Sequence, residues 1–302
     1  MKVHEVVIEH ALPYLPDGRS ELMDMYRPAE PPADESYGGI VIIHGGGWHA
    51  GARGAAREIN IGTNLARMGY VCISIDYLLS TTEMPSWPRN LQDCKCAVQY
   101  LRGNAADLGI HPAAIGAIGG SAGGHLAACL ATMGPELGLE PDKPFADVDS
   151  SVRAAVDLYG IADLLNWRFT DDEGVATDEY QTEASTQMLG ATQAEAPELW
   201  CQASPHWQAD ANSAPVMILH GKNDTTVDYQ QNIDFARHLD EIGVENELIL
   251  LDGIGHSFHL EAWGSKPFPI DVRRRVLSFL DRHVRGLSAQ QADHRYKQLL
   301  TS

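Results

Sequence analysis

The chain has 302 residues, 44% of them hydrophobic and 21% charged, and its 41 acidic and 22 basic side chains leave a formal charge of −19. This is an ordinary globular composition, and one domain of such size buries about three quarters of the surface its unfolded chain exposes. The acidic balance argues against nucleic acid or an anionic membrane surface as partner, since both need clustered Lys and Arg.

Five cysteines (72, 94, 96, 129 and 201) are an odd number without zinc spacing. Cys72 and Cys129 fall in apolar segments, where a small buried thiol is usual, and Cys94 and Cys96 point to different sides of a predicted helix. No disulfide framework, metal site or cofactor is expected. Met1-Lys2-Val3-His4-Glu5 lacks the apolar core of a signal peptide and no run approaches a membrane span, so the reading is soluble and cytoplasmic by default. A secreted or periplasmic protein given without its leader would read the same. No Pro-rich or Gly/Ser-rich linker divides the chain, so one domain over residues 1–302 is expected; the oligomeric state stays open, a homodimer being one option.

In chain order, Val3 to Glu9 and Leu22 to Tyr26 read as two strands joined by the turn-rich Pro13-Tyr14-Leu15-Pro16-Asp17-Gly18-Arg19. A polar, proline-rich loop covers Pro28 to Ser36. The all-apolar Ile40-Val41-Ile42-Ile43 is a strand buried on both faces. It runs into His44-Gly45-Gly46-Gly47-Trp48. Consecutive glycines pack nothing and cost conformational entropy, so they gain only where backbone must approach something closely. The amides of Gly46 and Gly47 suit an oxyanion; a tight strand-to-helix loop is the other reading. His44 is expected to tie this loop down by hydrogen bonding.

A helical stretch from about Ile59 to Met68 leads to the strand Val71 to Asp76. A helix from about Trp87 to Asn104 follows, with Leu91, Cys94, Val98 and Leu101 on one stripe. The strand Ala114 to Ile118 then feeds Gly119-Gly120-Ser121-Ala122-Gly123, which passes at once into the helix-forming Leu126 to Ala131. The pattern GxSxG at a strand-to-helix turn is that of a nucleophile elbow. Its turn would hold Ser121 at strained φ/ψ with the hydroxyl exposed, leaving no room for Cβ atoms at 119 and 123; a further glycine at 120 leaves the turn uncrowded. The Ala122 amide, at the start of the helix, would point where negative charge grows on a substrate carbonyl. By itself the pentapeptide is also compatible with a phosphate-binding turn.

Ala154 to Tyr159 is another strand, after which residues 160–213 break the rhythm. That insertion is rich in Asp and Glu, has Arg168 as its single Lys or Arg, and holds Trp167, Phe169, Tyr180, Trp200 and Trp207. The aromatics favour a lid over a floppy loop, and the acids read as a solvated face. Val216 to Leu219 is a buried strand ending in His220-Gly221-Lys222-Asn223-Asp224, a helix covers about Tyr229 to Ile242, and Glu247 to Leu251 is the last strand, ending near His256. A final helix spans about Ile270 to Val284, and the tail Ser288 to Ser302 reads as polar and peripheral. Strands alternating with helices build a parallel sheet whose sites lie at the carboxyl ends of the strands.

Ser121, Asp224 and His256 all fall at such ends, in the order expected of α/β-hydrolases. A serine hydroxyl is a poor nucleophile until an imidazole takes its proton, and the imidazole needs a carboxylate on its far nitrogen. His259 and Asp228 are the nearest rivals. His259 lies where the chain turns away, and Asp228 where the next helix begins and an acid favours the dipole.

Together these motifs resemble the α/β-hydrolase superfamily, and within it the hormone-sensitive-lipase-like esterases and the related bacterial group that includes feruloyl and acetylxylan esterases. The resemblance covers about Val3 to Val284, including Pro88-Arg89-Asn90-Leu91-Gln92-Asp93 and Ser204-Pro205. It implies a mostly parallel eight-stranded sheet with helices on both faces and a small lid. It further implies an oxyanion hole from the amides of Gly46, Gly47 and Ala122, acylation of Ser121, and release of the acid by water activated by His256. Trp48, Trp167 and Trp200 are the expected substrate-contacting aromatics. Only 39 residues precede Ile40, with no helical periodicity, and Leu78 stands where lipase-like relatives have Arg, so the capless feruloyl/acetylxylan-esterase-like group fits better. The expected activity is that of a serine carboxylesterase for short-chain or aromatic acyl esters, feruloyl or acetyl esters of plant-wall carbohydrate among them. An arylformamidase-type amide hydrolase and a non-catalytic binding protein on a hydrolase fold are the alternatives.

Overall fold

Alternate residues of the central strands belong to opposite cores. Val41 and Ile43 pack with Val71, Ile73 and Ile75 on one face, while Ile40 and Ile42 pack with Tyr70 and Cys72 on the other. Continuous apolar runs are what a sheet covered on both faces requires. The structure, a computed structural model, describes residues 3–300 apart from 33–35 and 143. The proline-rich loop expected over 28–36 and the tail expected over 288–302 therefore fall partly outside the described residues.

The strands β1 (Val6–Leu12), β2 (Met23–Pro28) and β3 (Tyr37–Ile43) precede helix α1 (Ala56–Arg67) and strand β4 (Tyr70–Ile75). Helices α2 (Arg89–Gly103) and α3 (Ala105–Leu108) lead to β5 (Ile110–Gly120), the elbow and helix α4 (Ala122–Thr132). Strand β6 (Ala155–Leu158) is followed by a hairpin, β7 (Arg168–Thr170) and β8 (Ala176–Tyr180), and by short helices α5 (Glu183–Leu189), α6 (Pro197–Gln202) and α7 (Pro205–Gln208). Then come β9 (Val216–Gly221), α8 (Gln230–Glu241), β10 (Asn246–Leu251), a small pair β11 (Ala262–Trp263) and β12 (Lys266–Pro267), and helices α9 (Val272–His283) and α10 (Ala289–Leu300).

The main sheet has eight strands in the order β1-β2-β4-β3-β5-β6-β9-β10. Antiparallel pairing is confined to β1–β2 and β2–β4; the others run parallel. Helices α2, α4 and α8 cover one face through Leu91, Leu126 and Phe235, and α1, α9 and α10 the other through Leu65, Val276 and Tyr296. Among the described residues no helix is long and apolar enough to cross a membrane.

Two local expectations, the first strand and the tail, need correction. The first strand lies further along than Val3 to Glu9, because its register shifts between Glu9 and Leu12 and Ala11, at φ 57°, turns its N–H to Asp24 Oδ1 at 2.9 Å. Residues 160–213, expected as a lid-like insertion, carry the hairpin and three helices. The segment after Ser288 is not a peripheral tail. It folds as α10, where buried Arg295 pairs with Asp281 and donates to the Met68 carbonyl, and Tyr296 packs into the core.

Two polar ties hold the loops at the site end of the sheet. Buried Asp93 on α2 takes both Nη atoms of Arg19, at 3.0 and 2.6 Å, and the Leu78 amide at 2.9 Å, so the turn after β1 and the loop after β4 share one anchor. Fully buried Asp157 on β6 accepts the Gly160 N–H at 2.7 Å through Oδ1, while its Oδ2 has no partner among the described residues. Burial pushes this carboxyl up to about 7, with the Gly160 N–H pulling the other way.

An unfolded carboxyl releases its proton near pH 4, whereas folded Asp157 keeps it to about 7. Between those limits the folded state binds more protons, so stability falls as pH rises, by about 1.4 kcal/mol for each pH unit. Asp157→Asn retains an acceptor for Gly160 but does not ionise. The melting temperature of the wild type is therefore expected to fall relative to Asp157→Asn from pH 4 to 7 and to run parallel above it. Parallel curves over the whole range would contradict the buried-acid assignment.

Candidate active site

The elbow is set by backbone packing on backbone. Ser121 follows β5 at φ 58° and ψ −124° and caps α4, a conformation that costs a non-glycine residue about 1–3 kcal/mol. It persists because neighbours fix it. The Ser121 N–H donates to Leu158 O at 2.9 Å and its carbonyl accepts from His125 N at 3.0 Å. A Cβ on Gly119 would run into the Gly123 carbonyl, and one on Gly123 into the Ile43 carbonyl. Position 120 is not uncrowded as expected: a Cβ there would lie 2.7 Å from the Tyr159 hydroxyl and 2.8 Å from Arg57 Nη1.

From adjoining strand ends the chain brings Ser121, His256 and Asp224 together. His256 Nε2 lies 3.0 Å from Ser121 Oγ, and His256 Nδ1 lies 2.7 Å from Asp224 Oδ2. The carboxylate fixes the tautomer: Nδ1 carries the proton and Nε2 is free to accept the serine hydroxyl. Asp224 is fully buried and its Oδ1 takes the amides of Thr226 and Val227 at 2.8 and 2.9 Å. Burial drives its carboxyl upward, but hydrogen bonds from His220 and His256 outweigh that, and the group is held well below the usual carboxylate range. The charged carboxylate is therefore the favoured form.

The rivals are elsewhere. Asp228 accepts the Gln230 N–H at 2.9 Å at the start of α8 and faces Arg168 at 3.6 Å. His259 donates its amide to Ala262 O in the turn beyond β10.

Strands β3 and β5 pair up to Ile43 and Gly119, so the glycine loop lies directly against the elbow. A Cβ on Gly45 would sit 3.2 Å from Ser121 Cβ. Gly46 and Gly47 have φ 120° and 58°, and Gly46 O takes the amides of His49 and Ala50. Among the described residues the Gly46, Gly47 and Ala122 amides meet no acceptor, so all three N–H groups remain available as donors. His44 Nδ1 donates to Gly45 O at 2.7 Å and its ring stacks on Tyr77 at 4.3 Å, which fastens the loop. Among the described residues no group of His, Cys, Asp and Glu is placed to hold a metal ion.

The tryptophans are not where substrate contact requires them. Trp48 and Trp200 have 0% exposure, and Trp167 has 5%. Trp48 Nε1 donates to His125 Nδ1 at 3.1 Å, and its ring meets Trp167 edge-on at 6.1 Å. Trp167 Nε1 bonds Thr226 O at 3.1 Å and Trp200 Nε1 bonds Ala191 O at 3.0 Å. These large side chains build the interior between elbow helix and insertion, where burial of their surface stabilises most. The aromatic surface that remains exposed is Phe169 (47%) and Tyr180 (51%) on the hairpin and Trp207 (51%) on α7. The hairpin leans on the acid loop through Gln181 Nε2 to Thr226 O at 2.9 Å.

Residues 23–239 match the BD-FAE family model. The chain belongs to the BD-FAE family. Esterase LipQ of Mycobacterium tuberculosis is 29% identical over 252 residues, which are 83% of this chain and 57% of that protein, so the chain spans little more than half of that relative. Among solved structures, a truncated form of a carbohydrate esterase from gut microbiota aligns over 94% of this chain and 98% of its own, with TM-score 0.77 and 26% identity. The apo form of Thermogutta terrifontis esterase 2 aligns over 92% of this chain and 94% of its own, with TM-score 0.71 and 26% identity. Sheet order, helices on both faces and these likenesses make this BD-FAE chain an α/β-hydrolase fold.

Several residues of this BD-FAE chain at the site carry no separate signal in the sequence. Tyr159, at φ 46° just past β6, sets its ring edge-on to His256 at 4.7 Å, and its hydroxyl accepts from Arg57 Nη1 at 2.8 Å and donates to Phe258 O at 3.3 Å. Arg57 in turn donates from Nε to Glu58 Oε1 at 2.8 Å. His125 donates from Nε2 to Ala203 O at 2.7 Å and joins elbow helix, glycine loop and insertion; burial pushes it down to about 4, so it stays neutral. Only His220 lies in a motif, the His-Gly at the end of β9. A fluorophosphonate probe is expected to label Ser121 in the wild type and in Asp228→Asn at similar rates. Labelling should slow about 10³-fold or more in His256→Ala, read by intact-mass spectrometry. Labelling of another residue, or loss with Asp228→Asn alone, would reassign the site.

Proposed function

We propose that the protein is a serine carboxylesterase that works through an acyl-enzyme. The observation that carries this reading is the continuous contact from Ser121 Oγ through both nitrogens of His256 to the buried Asp224 carboxylate, 3.0 and 2.7 Å long. In this reading His256 Nε2 takes the Ser121 proton as Oγ attacks the ester carbonyl. The oxyanion is met by the amides of Gly46, Gly47 and Ala122, each such donor being worth about 10²–10³ in rate. His256 then gives the proton to the departing alcohol, and a water deprotonated by the same nitrogen releases the acid from Ser121. The relatives named esterases support the class of reaction.

For the substrate, the reading is a short-chain or aromatic acyl ester, with feruloyl or acetyl esters of plant-wall carbohydrate as the favoured class. The name of the carbohydrate esterase structure supports it, as do the exposed rings of Phe169 and Tyr180 beside the acid loop. The chain then acts as a single domain whose insertion over residues 160–213 walls the site. Because the three tryptophans are interior, substrate choice falls to the hairpin.

Acid release from p-nitrophenyl acetate, methyl ferulate, acetylated xylan and N-formylkynurenine tests both levels. Ser121→Ala is expected to lower kcat by about 10⁶ on every ester while leaving the melting temperature near that of the wild type. Phe169→Ala with Tyr180→Ala should raise KM for methyl ferulate about 10-fold and leave p-nitrophenyl acetate within about twofold. Serine-dependent release from the formamide alone would move the protein to amide hydrolysis. An equal loss on all esters would make the hairpin a support of the fold.

A further inference from the structure

Asp224 Oδ2 serves two histidines. Besides His256 Nδ1 at 2.7 Å it meets His220 Nε2 at 3.1 Å, and both His220 and Asp224 have 0% exposure. Which nitrogen of His220 carries hydrogen follows from its other side. Asn232, also fully buried, directs Nδ2 at Gly160 O (3.0 Å) and at His220 Nδ1 (2.7 Å). A backbone carbonyl only accepts, so the amide nitrogen is the atom facing Gly160, and its second hydrogen points to His220. His220 Nδ1 is thereby an acceptor and its hydrogen sits on Nε2, directed between Asp224 Oδ2 and Val227 O, the latter also at 3.1 Å. Every lone pair of the carboxylate that faces protein is then engaged: two amides on Oδ1, two imidazole N–H groups on Oδ2.

We infer that His220 is a positioning residue for the esterase reaction: its Nε2–H clamps the Asp224 oxygen that His256 uses and weakens the pull of that oxygen on the His256 proton. The inference rests on the esterase reading above. A carboxylate oxygen that already accepts one imidazole N–H is a weaker base toward a second. Without His220, Oδ2 would accept from His256 Nδ1 alone and would bind the imidazolium more tightly. The clamp also fixes rotation of the carboxylate, and Asn232 links it to Gly160 at the start of the insertion. The other titratable or charged groups facing this cluster are Tyr159 beyond β6, tied to Arg57 of α1, Asp228 of the same loop, Arg168 of β7 opposite Asp228, and Tyr229, whose ring lies 6.4 Å from that of His220. None of these groups is itself altered when only residue 220 is changed.

The test is the pH profile of kcat/KM on p-nitrophenyl acetate for the wild type, His220→Phe and His220→Gln, with a melting curve for each. Phe removes the donor; Gln brings a side-chain N–H close to the place of Nε2. The acid limb is expected to move up by about 0.5–1 pH unit in His220→Phe, with a plateau about 10-fold lower, and to lie within about 0.2 unit of the wild type in His220→Gln. One common acid limb for folded, active variants would overturn the inference. Should His220→Phe not fold, ¹⁵N-histidine spectra of the wild type at pH 7 decide. The His220 signals, identified by their loss in His220→Gln, are expected to report hydrogen on Nε2 and a bare Nδ1, and any other state would overturn it. A wild type without Ser121-dependent hydrolysis fails the functional reading before any variant is compared, whereas an unmoved limb in an active enzyme fails only the role of His220.

Discussion

The contact on which the site depends is between backbones. Strands β3 and β5 run parallel to their ends at Ile43 and Gly119, and the first turn of α4 then folds back until Gly123 lies under the Ile43 carbonyl. No side chain fits into that crossing, so a methyl group at 119 or 123 would push strand from helix. The strained turn at Ser121 is what such a crossing leaves over, and it is fixed by hydrogen bonds to Leu158 and His125. Everything chemical is arranged around it. The glycine loop continues β3 beside the serine, and β6, β9 and β10 deliver Tyr159, Asp224 and His256 in spatial order.

Three buried acids near this crossing solve the same electrostatic problem differently. Burial penalises an ionised carboxyl unless donors replace water. Asp224 has two amides and two imidazoles and remains charged. Asp157 has the Gly160 N–H alone, and the proton is retained to about 7. Glu58 pairs with Arg57, which it holds against the Tyr159 hydroxyl. The carboxylate that meets the His256 imidazole is thus the one with the most donors, whereas Asp157, with a single donor, is pushed up by burial.

Sheet class, the strand-end positions of Ser121, Asp224 and His256, and the order in which they occur were legible because each depends on local pattern: apolar runs of strand length, glycines where backbone touches backbone, and polar residues just past a strand. Other features depend on partners far apart in the chain. Tyr159 meets Arg57 across the sheet, His125 meets Ala203, and Arg295 returns to Asp281 and Met68 to turn a polar tail into a packed helix. Composition sees Gln, Arg and Asp there and reads solvent. The same gap explains the tryptophans. An aromatic in an insertion reads as substrate surface or as core alike, and its depth is set by which strand ends the insertion covers.

The interior and the rim of the insertion are attached to the sheet in different ways. Trp48, Trp167 and His125 interlock glycine loop, elbow helix and insertion at near-zero exposure, so exchanging any of them would disturb all three elements at once. The hairpin of β7 and β8, by contrast, touches the acid loop at its rim, through Gln181 and Glu173, and turns Phe169, Val175 and Tyr180 to solvent. A surface attached in this way can change its side chains without moving Asp224, whose position is set from beneath by His220 and Asn232. Side-chain variation is therefore expected to be tolerated best in residues 168–181, while the contacts of His220 and Asn232 and the glycine crossing at the serine stay as the fold requires them.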